Sequence, residues 1–104
     1  MRESQIEKHL VNRVVELGGE VRKVKWLGRR GAPDRLVMLP QRLRANALDR
    51  AFGSMYHPST IWVELKAPGE KPEPHQLREH ERMRRMGQRV EVIDSIEGVE
   101  ELLR

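Results

Sequence analysis

The sequence predicts an α/β fold, a mixed β-sheet flanked by helices in the order α-β-β-(α)-β-α-β-α. Three observations predict it. Ile6, Leu10, Val11, Val14, Val15 and Leu17 recur with helical spacing. Ile61-Trp62-Val63-Glu64-Leu65-Lys66 reads instead as a buried strand, with side chains pointing to alternate faces. Glycine and proline punctuate the chain at Gly18-Gly19, from Gly31 to Pro33, at Pro40 and from Pro68 to Pro74. A length of 104 residues fits one domain over 1–104, with a core large enough to fold but little to spare.

Each element has its own signals. Ser4-Gln5-Ile6-Glu7 has capping-box spacing, which predicts Ser4 as N-cap and Glu7 at the third helical position. Gly18-Gly19 ends that helix. Glu20 to Trp26 reads as a first strand, and Leu27 to Ala32, with Gly28, Arg29, Arg30 and Gly31, as a flexible basic loop. Pro33 biases Ala32 toward extended geometry and delivers Asp34 at the mouth of a second strand, Arg35–Leu39, which Pro40 stops. The stretch Gln41–Thr60 is longer than a hairpin requires. Leu43, Ala47, Leu48, Ala51, Phe52 and Met55 form a helical stripe there, predicting a short inserted helix at about 41–60. After the central strand, a proline-rich loop leads to Pro74 in the first turn of a helix reaching about Met86, before Gly87. Arg89–Ile93 is the fourth strand. Asp94 or Ser95 caps a final helix through Val99, Leu102 and Leu103.

Composition narrows the classes of function. Apolar residues are 38% and charged residues 35%, so a small core carries a heavily charged surface. No run approaches the ~20 apolar residues of a membrane helix. The first residues lack a signal-peptide pattern, so the expected location is cytoplasmic and no membrane partner is expected. With no cysteine, disulfides and thiolate metal sites are excluded, and any metal must sit on oxygen or imidazole ligands. Net charge is +4, unevenly spread: residues 22–50 hold nine Lys/Arg against Asp34 and Asp49, whereas 87–104 hold two Arg against five acids. One face meeting a polyanion accounts for that polarity, and so does a solvated basic loop.

The central strand carries the candidate chemistry. Glu64 and Lys66 share one face with Trp62, while Val63 and Leu65 share the other. Charges on so apolar a strand are costly unless a metal ion and a phosphate offset their desolvation. An isolated Glu-x-Lys is more often a surface ion pair. Here it has an upstream partner, Gly31-Ala32-Pro33-Asp34, followed by the apolar run Leu36 to Leu39. His9, His57, His75 and His80 show no zinc-site spacing and read as surface or packing residues; Trp26 and Trp62 read as core.

Taken together, Glu7, Pro33-Asp34 and Glu64-x-Lys66 resemble the PD-(D/E)xK nuclease superfamily and, within it, the small stand-alone VRR-NUC domains. The supporting residues are Gly31 to Arg35, Trp62 to Lys66, Gln76 at a helix start, and Gly87 before Val90-Glu91-Val92-Ile93. Glu7 to Arg13 also resembles the first helix of archaeal Holliday junction resolvases, which favours Glu7 over Glu3 as the helix-one glutamate. The resemblance implies a restriction-endonuclease-like sheet with an α-β-β-β-α-β core and metal-dependent phosphodiester hydrolysis. It implies Mg²⁺ or Mn²⁺ on Asp34, Glu64 and the Leu65 carbonyl, with Glu7 holding a water or a second ion. Lys66, kept protonated by neighbouring carboxylates, would orient the attacking water and stabilise the transition state, and Gln76 would support either. Lys25, Arg29, Arg30 and Arg35 are the expected DNA contacts. The implied partner is branched DNA, with four-way junctions cut by a homodimer, in a bacterial or phage-encoded setting. Flap or single-strand cleavage, and a non-catalytic nucleic-acid-binding module, are the alternatives.

Overall fold

The computed structural model describes residues 1–40 and 60–104 of the chain. The helix expected within 41–60 lies outside the described residues; Thr60 begins a strand. The elements are α1 (Glu3–Glu16), β1 (Glu20–Lys23), β2 (Arg35–Met38), β3 (Thr60–Leu65), α2 (Pro74–Arg85), β4 (Val90–Ile93) and α3 (Ile96–Leu102). They form a mixed four-stranded sheet in the order β1-β2-β3-β4. The first three strands are antiparallel, and β4 runs parallel to β3. A parallel neighbour needs a crossover connection, and α2 supplies it.

Helix α1 buries Ile6, Leu10 and Val14, four apart on one stripe. Its start differs from the expected Ser4 cap. Arg2 is the N-cap, and its backbone N–H donates to Gln5 Oε1 at 2.6 Å. Gln5 thus closes the first turn from the third helical position, and the helix begins two residues earlier than a Ser4 cap allows. The end is as expected: Gly18 takes φ +87°, and Gly18 and Gly19 N–H donate to Val15 and Val14 carbonyls. A Cβ on Gly19 would sit 2.2 Å from the Met38 carbonyl oxygen, so only glycine lets the chain enter β1 so close to β2.

Strand β1 is shorter than the Glu20–Trp26 reading. Its ladder ends at Lys23 opposite Arg35, after which Trp26 turns its indole N–H to the Pro33 carbonyl at 2.8 Å. Along β3, burial alternates without exception: Ile61, Val63 and Leu65 are buried, and Thr60, Trp62 and Glu64 half-buried. The buried set joins α1, Val37, Leu39, Ile93, Val99 and Leu102 in the main core. Each such side chain contributes about 1.5–3 kcal/mol by leaving water.

The opposite face of the sheet is covered by α2, which buries Glu79, His80 and Met83. Pro74 occupies its first turn, and Gln76 Oε1 accepts from the Glu73 N–H at 2.8 Å. Of the two residues expected to cap α3, Ser95 does so, its Oγ accepting from Gly98 N–H at 2.9 Å. Among the described residues, no helix is long and apolar enough to cross a membrane.

Candidate active site

The site is assembled where β2 begins and β3 ends. Arg35 is paired with Val63 in the last pair of the β2–β3 ladder, so Pro33 and Asp34 precede β2 next to the end of β3. Trp62 and Lys66 direct their amides at β4 carbonyls, which leaves the odd-numbered residues of β3 facing β2. Proline has no amide hydrogen. Pro33 therefore offers no donor to the Leu65 carbonyl, near the strand end where Asp34 emerges.

Glu64 lies on the α2 side of the sheet with a side chain 12% exposed, and its Oε1 has no hydrogen-bond partner. Burial raises its pKa from the ordinary carboxylate value to about 7; the Lys66 charge opposes this, while the Asp34 and Glu3 charges add to it. Asp34 is exposed, its Oδ1 2.7 Å from an Arg35 guanidinium nitrogen. Lys66 is half-buried on the same face as Glu64.

Arg35 itself is buried. Its guanidinium donates to Glu7 on α1 and pairs with Asp34, tying the first helix to the start of β2. A guanidinium so enclosed is engaged by those two carboxylates and lies away from solvent. Glu7 is correspondingly engaged by Arg35, whereas Glu3, one turn earlier on α1, is the helix carboxylate whose charge acts on Glu64. The resemblance of Glu7 to Arg13 to a resolvase first helix favoured Glu7; Glu3 lies four residues earlier on the same helix face. Arg35 is what separates them.

The loop leading to Asp34 is anchored, contrary to the flexible reading. Arg29 donates from two guanidinium nitrogens to the buried Glu79 carboxylate, each at 2.9 Å, and Arg82 shares Glu79 Oε1. These hydrogen bonds, Arg29's foremost, hold Glu79 below the usual carboxylate range. Gly31, at φ +86°, packs so tightly on the start of α2 that a Cβ would meet the His75 carbonyl at 2.9 Å. Trp26 and Trp62 pack on one another, ring centroids 5.1 Å apart and half-buried. Between this loop and β1 lies an open cleft of about 430 Å³, lined by Lys23, Lys25, Trp26, Arg29 and Asp34 among others. Lys25 and Arg30 are exposed and make no ion pair among the described residues.

Two helix residues complete the picture. Gln76 is half-buried, with its carbonyl oxygen committed to the cap of α2. His80 is fully buried, with Nε2 3.4 Å from Glu64 Oε1. Burial first, then the Arg84 charge, lowers its pKa, while the Glu79 charge opposes the shift.

Among the described residues, no three His, Asp or Glu side chains converge closely enough to enclose an ion alone. The donors on offer are the Asp34 and Glu64 carboxylates and the Leu65 carbonyl. These are hard oxygens, and a mostly buried carboxylate with a pKa raised to about 7 is relieved by positive charge. Such a set fits Mg²⁺ or Mn²⁺, which bind through one or two carboxylates and keep several waters.

No family model matches the chain. It is 47% identical over 95 residues to "Putative nuclease p44" of Acyrthosiphon pisum secondary endosymbiont phage 1, across 91% of this chain and 85% of that protein. A solved structure titled "VRR_NUC domain" superposes with a TM-score of 0.74 at 39% identity, covering 97% of this chain and 92% of that one. The chain belongs to the VRR-NUC family. The four-stranded mixed sheet and three helices described above are the restriction-endonuclease-like fold of that VRR-NUC structure.

Proposed function

We propose that this VRR-NUC chain is a divalent-metal-dependent endodeoxyribonuclease, acting as a homodimer on branched DNA and foremost on four-way junctions. The observation that carries the hydrolytic reading is Glu64, a mostly buried carboxylate with a partner-less oxygen, sharing its strand face with Lys66 and the field of Asp34. A pure binding module gains nothing from carboxylates set where phosphates must pass. The name of the phage relative, a nuclease, points the same way.

Asp34, Glu64 and the Leu65 carbonyl would hold Mg²⁺ or Mn²⁺, which when bound supplies charge neutralisation at the phosphate and a more acidic water. Lys66 orients the attacking water and faces the charge that builds on the phosphoryl oxygens. Arg35 positions Asp34, and Glu7 positions Arg35. Glu3 takes the water-holding role that the resemblance implied for Glu7. Gln76 supports the water through its amide nitrogen, since its oxygen closes the helix cap. Lys25 and Arg30 meet the DNA backbone and read shape through phosphates.

The junction preference rests on symmetry. One site cuts one strand, and a two-fold pair of sites suits paired cuts across a junction. A panel of labelled duplex, flap, fork and four-way junction substrates with Mg²⁺ or Mn²⁺, run beside sedimentation of the wild type, tests it. Paired symmetric nicks in junctions by a dimer are expected. Equal cutting of flaps or plain duplex, or a monomer at high concentration, would remove the resolvase reading and leave the nuclease.

A further inference from the structure

A histidine stands behind Glu64 with no role in the reading above. His80 is 0% exposed, its Nε2 lies 3.4 Å from Glu64 Oε1, and its two ring nitrogens and that oxygen all lack hydrogen-bond partners. Buried polar atoms are almost always paired, because an unpaired one forfeits its hydration. An apolar residue at position 80 would cover the sheet without that cost. The neighbouring residue sharpens the point: Glu79 grips Arg29 in the loop that delivers Asp34, while His80 meets the strand that delivers Glu64. One turn of α2 touches both ligand-bearing segments.

We propose that His80 is a positioning residue for Glu64: when a divalent cation binds, its Nε2–H turns onto Oε1, 3.4 Å away in this structure, and fixes the carboxylate so that the other oxygen faces the cation. The proposal rests on the metal reading given above. The chemistry selects the tautomer. With the proton on Nδ1, the Nε2 lone pair would oppose an ionised carboxylate oxygen; with it on Nε2, the pair attracts. Ligands held by such outer hydrogen bonds lose metal affinity when the partner is removed, typically by about 10–100-fold.

The test uses Mn²⁺ binding to the whole chain by calorimetry, on wild type, His80→Gln and His80→Leu. Gln places an amide donor near the position of Nε2; Leu removes it. Expected are wild-type-like affinity for His80→Gln and a loss of about ten-fold or more for His80→Leu. The Mn²⁺ concentration for half-maximal DNA cleavage should rise in parallel for His80→Leu, with the rate at saturating Mn²⁺ largely recovered, which a collapsed fold would not show. Equal loss in both variants, or none in His80→Leu, would overturn the proposal. ¹⁵N-histidine NMR of the wild type with Mg²⁺ at pH 8 decides it without any substitution: an Nε2–H tautomer is expected, and Nδ1–H overturns it even if His80→Leu fails to fold. A wild type that binds no Mn²⁺ removes the metal reading and this proposal with it. Wild-type binding with His80→Leu unchanged removes His80 alone.

Discussion

Arg29 and Glu79, fifty residues apart in sequence, are joined by two hydrogen bonds of 2.9 Å, and Glu79 is buried beneath them. Arg82 shares the same carboxylate. Either arginine alone can compensate the buried charge, so Arg29→Ala or Arg82→Ala should each cost little. The double variant leaves Glu79 buried and unpaired, which costs about 3–5 kcal/mol. Urea unfolding of the three variants checks this; a double cost equal to the sum of the singles would show that Glu79 finds another partner.

Gly31 and Gly28 make a controlled comparison. Both have positive φ, but a Cβ on Gly28 meets nothing within 4 Å, whereas one on Gly31 meets backbone. Gly28→Ala should cost about 1–2 kcal/mol of left-handed strain and leave cleavage intact. Gly31→Ala should cost more and lower cleavage, because the loop carrying Asp34 must lift from α2. Thermal unfolding with cleavage rates separates the two; equal effects on activity would mean that loop docking does not position Asp34.

The exposed cations divide from the anchored ones. Lys25→Ala and Arg30→Ala should leave stability unchanged and weaken DNA binding across all sequences. Each should also reduce the salt-dependence slope by about one counterion per lost phosphate contact. Arg35→Ala should instead act on stability and cleavage, as a residue enclosed by Glu7 and Asp34. Binding isotherms at several salt concentrations check this, and an unchanged slope for Lys25→Ala and Arg30→Ala would move the DNA path elsewhere.

Glu64 gives a pH signature in the metal-free protein. Its folded pKa, raised to about 7 chiefly by burial, lies above the unfolded carboxylate value. Between those values the folded state holds the extra proton, so this group's contribution is full below the unfolded pKa and is lost as pH rises through about 7. Glu64→Gln should therefore raise the Tm at pH 8 relative to wild type and change it little at pH 4. A Tm difference that does not grow with pH would contradict the burial of that charge.

Much of this site was legible in sequence because it follows backbone periodicity. Glu64 and Lys66 share a face by the period of two, and Pro33 marks where β2 begins. Arg35 was not legible, since arginine ordinarily lies at the surface and here it is enclosed between Asp34 and Glu7 from the distant helix α1. Nor was the anchoring of the Leu27–Ala32 loop: glycine and arginine are common loop residues, and the groups that hold them, Glu79 and the His75 backbone, come from a distant helix. The four histidines show no zinc-site spacing, so His80 could be read only as a surface or packing residue.

The most direct measurement is single-turnover cleavage of a labelled four-way junction at saturating Mn²⁺ by wild type, Asp34→Ala, Glu64→Gln and Lys66→Ala, with junction binding measured on the same preparations. Removing a first-rank donor or the charge facing the phosphate should cost at least about 10²-fold in rate. Asp34→Ala should bind DNA as tightly as wild type or tighter, because a carboxylate facing phosphate is gone. Wild-type cleavage by Asp34→Ala or Glu64→Gln, or wild-type cleavage undiminished in EDTA, would contradict a metal-dependent nuclease site at this end of the sheet.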